Sequence, residues 1–282
     1  MRVIVAATAG FCSGAQNAFN ILDSIESPNK CVFWGDLLHS KEVQKAIEAK
    51  GAKLIDPKET NLQHLKGKIV YLPAHGVEKE IERKIRELAE KVIDNTCMSI
   101  IQIHKTVEDM EADGRQVVIV GLKNHAETKG ILSYTKHGIV VESPEELHKL
   151  IEDRRIPIHA IGVVAQTTAE LDIFLGCLQV LNNKCTDIQI FNSLCNNVSA
   201  NQERTSELAR SVDVMIILGG KNSANTKTLN KISSEYTKTY WIEDLSEIKE
   251  NWFESAKVVG LTAGASTPKE TIVEARHLIE KL

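Results

Sequence analysis

Short apolar runs alternate with stretches of helical periodicity from one end of this chain to the other. The runs, rich in Val and Ile, predict strands at 2–7, 31–34, 53–55, 68–72, 91–93 and 116–121. Six more follow at 138–141, 161–165, 187–191, 214–218, 238–242 and 258–261. Between them, apolar residues recurring every three or four positions predict helices, among them 40–49, 78–90, 99–112, 144–151, 168–181, 202–210, 225–234 and 268–282. Strands apolar along their whole length, each followed by a helix, predict parallel sheets with both faces covered. Helix starts are also marked. Ser143-Pro144-Glu145-Glu146 has a capping Ser, a Pro at the first helical position and acids in the first turn, and Thr267-Pro268-Lys269-Glu270 has the same form.

A longer period lies over this alternation. Cys12, Cys97 and Cys195 each stand at a strand-to-helix junction, and polar loops beginning at His39, His125 and Ser223 follow them by 27, 28 and 28 residues. Two of these loops resemble each other directly: Lys123-Asn124-His125-Ala126-Glu127-Thr128 and Lys221-Asn222-Ser223-Ala224-Asn225-Thr226. A further polar cluster falls in each third, at His75, at Gln166-Thr167-Thr168 and at Ser266-Thr267. The expected fold is therefore α/β, with three pseudo-repeated modules of mostly parallel sheet, each giving one thiolate to a shared centre. The modules are expected at 13–96, 97–194 and 195–282, the last completed by the N-terminal strand within 1–12. In open α/β sheets ligands bind beyond the carboxyl ends of strands, where all these loops lie.

Composition narrows the function. The chain has 282 residues and a formal net charge of −4, so no basic field recruits nucleic acid. No apolar run reaches the roughly 18 residues of a membrane span, and the opening apolar run is too short for a signal peptide and reads as a strand. A cytoplasmic protein with no membrane or nucleic-acid partner is expected. Six cysteines without a secretory signal argue against disulfides. No C-x-x-C pair occurs, which weighs against zinc ribbons, thioredoxin-like chemistry and bacterial ferredoxin clusters. Cys31 and Cys177 read as core thiols and Cys185 as a surface or half-buried one.

Three thiolates from distant loops could bind zinc, but a fourth ligand would then be expected from a His or carboxylate within a compact motif, whereas an iron–sulfur cube would keep one iron open. Three space-filling thiols are the bland alternative, disfavoured by polar, strand-ending surroundings. His39, His75 and His125, with Ser223, Asn225 and Ser266, form a candidate polyanion cradle at helix mouths, suited to a phosphate or diphosphate. His104, spaced with Ile100, Ile101 and Ile103, reads as structural. Glu127 is the acid candidate, because a buried carboxyl beside a phosphate is expected to hold a proton near neutral pH. Thr167 would relay or orient through its hydroxyl, or simply cap the next helix.

Seven ordered motifs carry a family resemblance: Gly10-Phe11-Cys12-x-Gly14, Ala74-His75-Gly76-Val77, Asp94-x-Thr96-Cys97, His125-x-Glu127, Gln166-Thr167-Thr168, Lys221-Asn222-Ser223-x-Asn225 and Thr262-Ala263-Gly264-Ala265-Ser266. From Met1 to about Leu282 the chain resembles the 4-hydroxy-3-methylbut-2-enyl diphosphate reductase family of the non-mevalonate isoprenoid route. The resemblance implies a trefoil of three α/β modules around one [4Fe-4S] cluster on Cys12, Cys97 and Cys195, with one iron lacking a protein ligand. It implies that His39, His75, His125, Ser223, Asn225 and Ser266 hold the diphosphate of an allylic alcohol substrate, and that Glu127 with Thr167 supplies the proton. Two-electron reductive dehydroxylation would give isopentenyl and dimethylallyl diphosphate, with ferredoxin or flavodoxin as donor.

The cysteine loops depart from the family pattern. Gly14-Ala15-Gln16-Asn17-Ala18 lacks the usual arginine, Met98 stands where proline is common, and Val198 and Asn201 replace a threonine and an arginine. The alternatives are a diverged relative using the open iron on another small molecule, or a non-catalytic iron–sulfur sensor of a phosphorylated metabolite.

Overall fold

The computed structural model describes residues 1–25, 27–38 and 40–282. The elements run β1 (Arg2–Val5), α1 (Ser13–Asn20), β2 (Cys31–Trp34), α2 (Lys41–Ala49), β3 (Lys53–Ile55), β4 (Ile69–Leu72), α3 (Lys79–Leu88) and β5 (Lys91–Asp94). There follow α4 (Met98–Ala112), β6 (Gln116–Val120), α5 (Ala126–Leu132), β7 (Ile139–Val141), α6 (Pro144–Glu152), β8 (Ile161–Ala165), α7 (Leu171–Lys184) and β9 (Ile188–Ile190). The last stretch holds α8 (Asn196–Ala209), β10 (Val214–Leu218), α9 (Ala224–Ser234), β11 (Lys238–Ile242), β12 (Val258–Ala263) and α10 (Lys269–Lys281). All twelve predicted strands form.

They make three four-stranded sheets with one connectivity: β3-β2-β4-β5, β7-β6-β8-β9 and β11-β10-β12-β1. The protein is thus an α/β chain of three parallel-sheet modules. The first strand of the chain closes the last sheet, Arg2 lying opposite Val258. With β1 set aside, in each sheet the chain enters at an inner strand, steps to one edge, and then crosses back over its start. The carboxyl ends of β2 and β4, of β6 and β8, and of β10 and β12 therefore flank the point where the strand order reverses. Ligand crevices form at such points.

The chain packs as two compact units. One comprises Met1–Asn29, Asp36–Leu54 and Asn196–Leu282, and the other Lys30–Gly35 and Ile55–Cys195. The pleat divides each inner strand between two cores. Val118 and Val120 pack with Leu147 and Phe174 on one face of β6, while Val117 and Ile119 pack with Ile103, Met110 and Ile131 on the other. In the other unit Val214, Ile216 and Leu218 meet Ile272, Ala275 and Ile279, while Met215 and Ile217 meet Leu208 and Leu229. Burial on both faces is why these strands read as unbroken apolar runs. Among the described residues, no helix is long and apolar enough to cross a membrane.

Helix starts differ from expectation where loops have other work. Ser143 caps α6 as predicted, accepting from Glu146 N–H at 3.2 Å. Thr267 does not cap α10; its hydroxyl donates to Leu218 O instead, at 3.4 Å, tying the end of β10 to the turn after β12. Helix α7 begins at Leu171 rather than at 168, because 167–168 form a turn. Helix α8 begins at Asn196, well before 202, which brings Cys195 to its mouth.

Candidate functional site

One hydrogen bond recurs in all three sheets. The backbone N–H of Cys97 donates to Ala74 O (2.9 Å), that of Cys195 to Thr167 O (2.9 Å) and that of Cys12 to Ala265 O (3.3 Å). Each acceptor lies just past the third strand of its sheet, in a loop whose next residue is His75, Thr168 or Ser266. Each cysteine is half-buried and directly precedes a helix: Cys12 caps α1 through its side chain, Cys97 stands at the N-cap position of α4 without a side-chain cap bond, and Cys195 adjoins Asn196 of α8. A helix N-terminus concentrates unpaired N–H groups and positive potential, which suit negative charge at that point. Cys12 Sγ already accepts from Ala15 N–H at 3.4 Å.

The loops after the first strands repeat as well. The N–H groups of Gly35, Gly121 and Gly219 donate to Ile55, Val141 and Ile242 at 2.8, 2.9 and 3.0 Å. The fourth residues on are His39, His125 and Ser223. His39 lies outside the described residues. His125 and Ser223 each cap a helix: His125 Nδ1 accepts from Glu127 N–H (3.2 Å) and Ser223 Oγ from Thr226 N–H (3.3 Å). With Nδ1 accepting, the neutral His125 ring carries its proton on Nε2. His75 is the reverse, since its Nδ1 donates to Gly76 O at 2.9 Å. Asn225 is 4% exposed, and neither end of its side-chain amide has a partner. Ser266 is half-buried in the turn after β12.

Glu127 and Thr167 are 40 residues apart in sequence and in contact in space. Glu127, 3% exposed in the first turn of α5, accepts from Thr167 N–H at 2.6 Å and from the Thr167 hydroxyl at 3.0 Å. Parallel pairing of β6 with β8 makes this possible by setting the two following loops side by side. Gln166 locks them together. Its Oε1 accepts from Leu122 N–H (3.0 Å) and the Thr128 hydroxyl (3.3 Å), and its Nε2 donates to Thr168 Oγ1 (3.0 Å). Gly121 admits this side chain, since a Cβ there would sit 2.6 Å from Gln166 Cβ. Sequence reading noted the Gln-Thr-Thr run but gave Gln166 no role. It also gave none to Ser193, whose Oγ lies 2.7 Å from Ala165 N and 2.6 Å from Ala165 O ahead of the Cys195 turn. The cap-like turn before Cys97 is real: Asp94 accepts from Thr96 N–H (3.0 Å) and from Arg86 (2.8 Å).

The remaining thiols differ in kind. Cys31 and Cys177 are buried and Cys185 is half-buried; burial pushes the Cys177 thiol up to about 12, so it stays protonated. Among the described residues, no three His, Cys, Asp or Glu side chains lie close enough together to hold a metal ion. Within the 55–195 unit, a cleft of about 310 Å³ runs between the His75 loop and the start of α5, with Trp34, Lys58, Asn124 and Lys129 among its walls.

A family model described as LytB protein matches residues 3–280. The chain belongs to the LytB protein family. The 4-hydroxy-3-methylbut-2-enyl diphosphate reductase of Wolinella succinogenes is 37% identical over 284 residues, covering 99% of both chains. That of Helicobacter pylori strain P12 is 35% identical over 286 residues, covering 100% of both. A solved structure described as (E)-4-hydroxy-3-methyl-but-2-enyl diphosphate reductase, the terminal enzyme of the non-mevalonate pathway, is 34% identical and matches over 100% of both chains with a TM-score of 0.69. The E-1-hydroxy-2-methyl-but-2-enyl-4-diphosphate reductase from Plasmodium falciparum, at 22% identity, shares the fold with a TM-score of 0.88 over 98% of this chain and 87% of that one.

Within this LytB chain the departing residues have settled surroundings. Asn201, buried, donates to Ala263 O and accepts from the Thr8 hydroxyl, both at 3.0 Å, and so ties the end of β12 to the loop after β1. Val198 is buried, Asn17 is exposed and Met98 is 74% exposed.

Proposed function

We propose that this chain is a 4-hydroxy-3-methylbut-2-enyl diphosphate reductase. It would add two electrons and two protons to the substrate, release the hydroxyl as water and yield isopentenyl or dimethylallyl diphosphate. The observation that carries the reading is the hydrogen bond shared by Cys12, Cys97 and Cys195, in a chain alike from end to end to reductases of that name. Three half-buried thiols at helix mouths suit a [4Fe-4S] cluster with one iron lacking a protein ligand. When bound, such a cluster supplies electrons one at a time and a Lewis-acidic position. A ferredoxin or flavodoxin as electron source and a cytoplasmic location belong to the same proposal.

The side chains of this protein would do the rest. His75, His125, Ser223, Asn225 and Ser266, with His39, would bind the diphosphate. The unpartnered amide of Asn225 supports this, because a buried polar group without a partner costs about 1–3 kcal/mol that an oxygen-rich ligand would recover. Glu127 would hold a proton and pass it to the departing hydroxyl, directly or through Thr167 Oγ1. Expelling hydroxide is uphill unless that oxygen is protonated, and Glu127 is the carboxylate hydrogen-bonded at the strand-end loops of β6 and β8.

Anaerobic turnover of the hydroxylated diphosphate by reconstituted protein tests the reading, together with iron and sulfide analysis giving about four of each per chain. Glu127→Gln should keep the cluster and bind substrate, while turnover falls by about two to four orders of magnitude. Wild-type turnover by that variant would remove Glu127 from the chemistry. A second reading, a relative acting on another small molecule, is favoured by the cysteine loops, where buried Val198 and Asn201 present no hydroxyl and no cation. Pyrophosphate binding without turnover by the wild type would select it.

A further inference from the structure

We propose that Asn95, Ser193 and Asn201 are positioning residues for the three cysteines, each supplying with its side chain the last ladder rung before the thiol; this rests on the reductase reading and deepens it. Beside β8 the rungs run from Phe191 N–H to Val163 O (2.9 Å), from the Ser193 hydroxyl to Ala165 O (2.6 Å) and from Cys195 N–H to Thr167 O (2.9 Å). Each step advances two residues on both segments, as a parallel ladder does, and the middle rung is a side chain standing in for a backbone N–H. Beside β4, where Leu72 pairs with Asp94, Asn95 Nδ2 donates to Leu72 O and Cys97 N–H to Ala74 O, both at 2.9 Å. Beside β12, Ala6 N–H donates to Leu261 O (2.9 Å) and Cys12 N–H to Ala265 O (3.3 Å). Between these two the Thr8 hydroxyl donates to Asn201 Oδ1 and Asn201 Nδ2 donates to Ala263 O, both at 3.0 Å. Gly10 stands two residues before its cysteine, as Asn95 and Ser193 do, but has no side chain to offer, and Asn201 reaches in from α8 instead.

Leu72, Ala165 and Ala263, whose carbonyls take these bonds, are fully buried, and a buried carbonyl left unpaired costs about 1–3 kcal/mol. Satisfying a strand end is the plain role of such a bond. Its place gives it a larger one. Strand ends fray, and a cysteine held there by one backbone bond can swing about it. A further bond one rung back fixes the direction in which the thiol leaves the backbone. Metal ligands keep their orientation through outer contacts of this kind. Ser193 is held twice, since its Oγ also accepts from Ala165 N–H at 2.7 Å. Asn95 keeps its bond although its Oδ1 is buried without a partner.

The test uses the full-length, anaerobically reconstituted protein and reads the rate at which a ferrous chelator strips its iron, with the EPR spectrum of the reduced cluster alongside. Ser193→Ala deletes the rung beside Cys195. Thr8→Val breaks the one that runs through Asn201 and keeps the shape of the side chain. Iron release should quicken about ten-fold or more in each, with a changed EPR line shape. Ser193→Thr and Thr8→Ser retain the hydroxyl and should release iron within about two-fold of the wild-type rate. Ser133→Ala is the control. It removes bonds of the same kind in the same unit as Ser193, one from the Ser133 hydroxyl to Gly130 O (2.6 Å) and one from Lys79 N–H (2.9 Å). It should lower the urea midpoint and leave iron release unchanged. A wild-type release rate in Ser193→Ala, or in Thr8→Val where Ser193→Ala does not fold, overturns the proposal, as does equal quickening in Ser133→Ala. The two levels separate in the cluster content: if the wild type holds iron and sulfide, Cys97→Ser loses them and Ser193→Ala holds them as firmly as the wild type, only the positioning role fails. If the wild type takes up neither, the cluster reading fails and the proposal with it.

Discussion

His104 makes the protein acid-sensitive in a way that can be calculated. It lies in α4, 7% exposed, with its ring stacked on Tyr134 at 4.1 Å between centroids and its Nε2 buried without a partner. It also fills the space beneath Gly76 (φ +75°), where a Cβ would sit 3.3 Å from His104 Cε1. Burial lowers its pKa from 6.5 to about 4, although the Glu108 and Asp94 carboxylates pull the other way. Above pH 6.5 both folded and unfolded forms are neutral here, and nothing is lost. As pH falls from 6.5 towards 4, the unfolded chain takes up a proton that the folded one refuses, so stability drops. The interval of 6.5 − 4, about 2.5 pH units, at about 1.4 kcal/mol each amounts to roughly 3–4 kcal/mol. His104→Phe keeps a flat ring against Tyr134 and cannot titrate. Urea unfolding of both proteins, followed by circular dichroism at about pH 7 and about pH 4.5, should show the wild type losing roughly 2–3 kcal/mol more than the variant. At neutral pH the variant should be no less stable, since Nε2 leaves no bond behind. Parallel pH dependence in the two proteins would refute the argument.

Other consequences follow from close packing and from the polar links at the strand ends. Gly121→Ala brings a Cβ to 2.6 Å from Gln166 Cβ and should cost about 1–3 kcal/mol in urea unfolding; a neutral result would mean that the two loops are not locked as described. Asn201→Asp sets a carboxylate oxygen where an amide now donates to Ala263 O. It should lose about 2–4 kcal/mol at neutral pH, with the deficit shrinking in acid as the carboxyl takes a proton; a constant deficit would contradict this. Cys177→Ser should leave iron and sulfide content unchanged while Cys97→Ser lowers both, and loss of iron in the former would redirect the ligand assignment.

Much of the architecture was legible in the sequence because buried parallel strands carry an unmistakable pattern. Val117–Val120 and Val214–Leu218 are apolar on both faces since both faces meet helices, and the spacing of Cys12, Cys97 and Cys195 from their polar loops disclosed a repeat. Helical spacing likewise marked His104 as structural, which its burial bears out. Tertiary structure decided what no spacing encodes. The contact between Glu127 and Thr167 depends on β6 and β8 lying side by side, and the kinship of Thr168 with His75 and Ser266 is written in backbone hydrogen bonds alone. Side-chain type records the periodicity of burial, whereas register across a sheet is set by backbone N–H and C=O groups that every residue but proline carries alike; so the sequence could name the loops, and only the folded chain could align them.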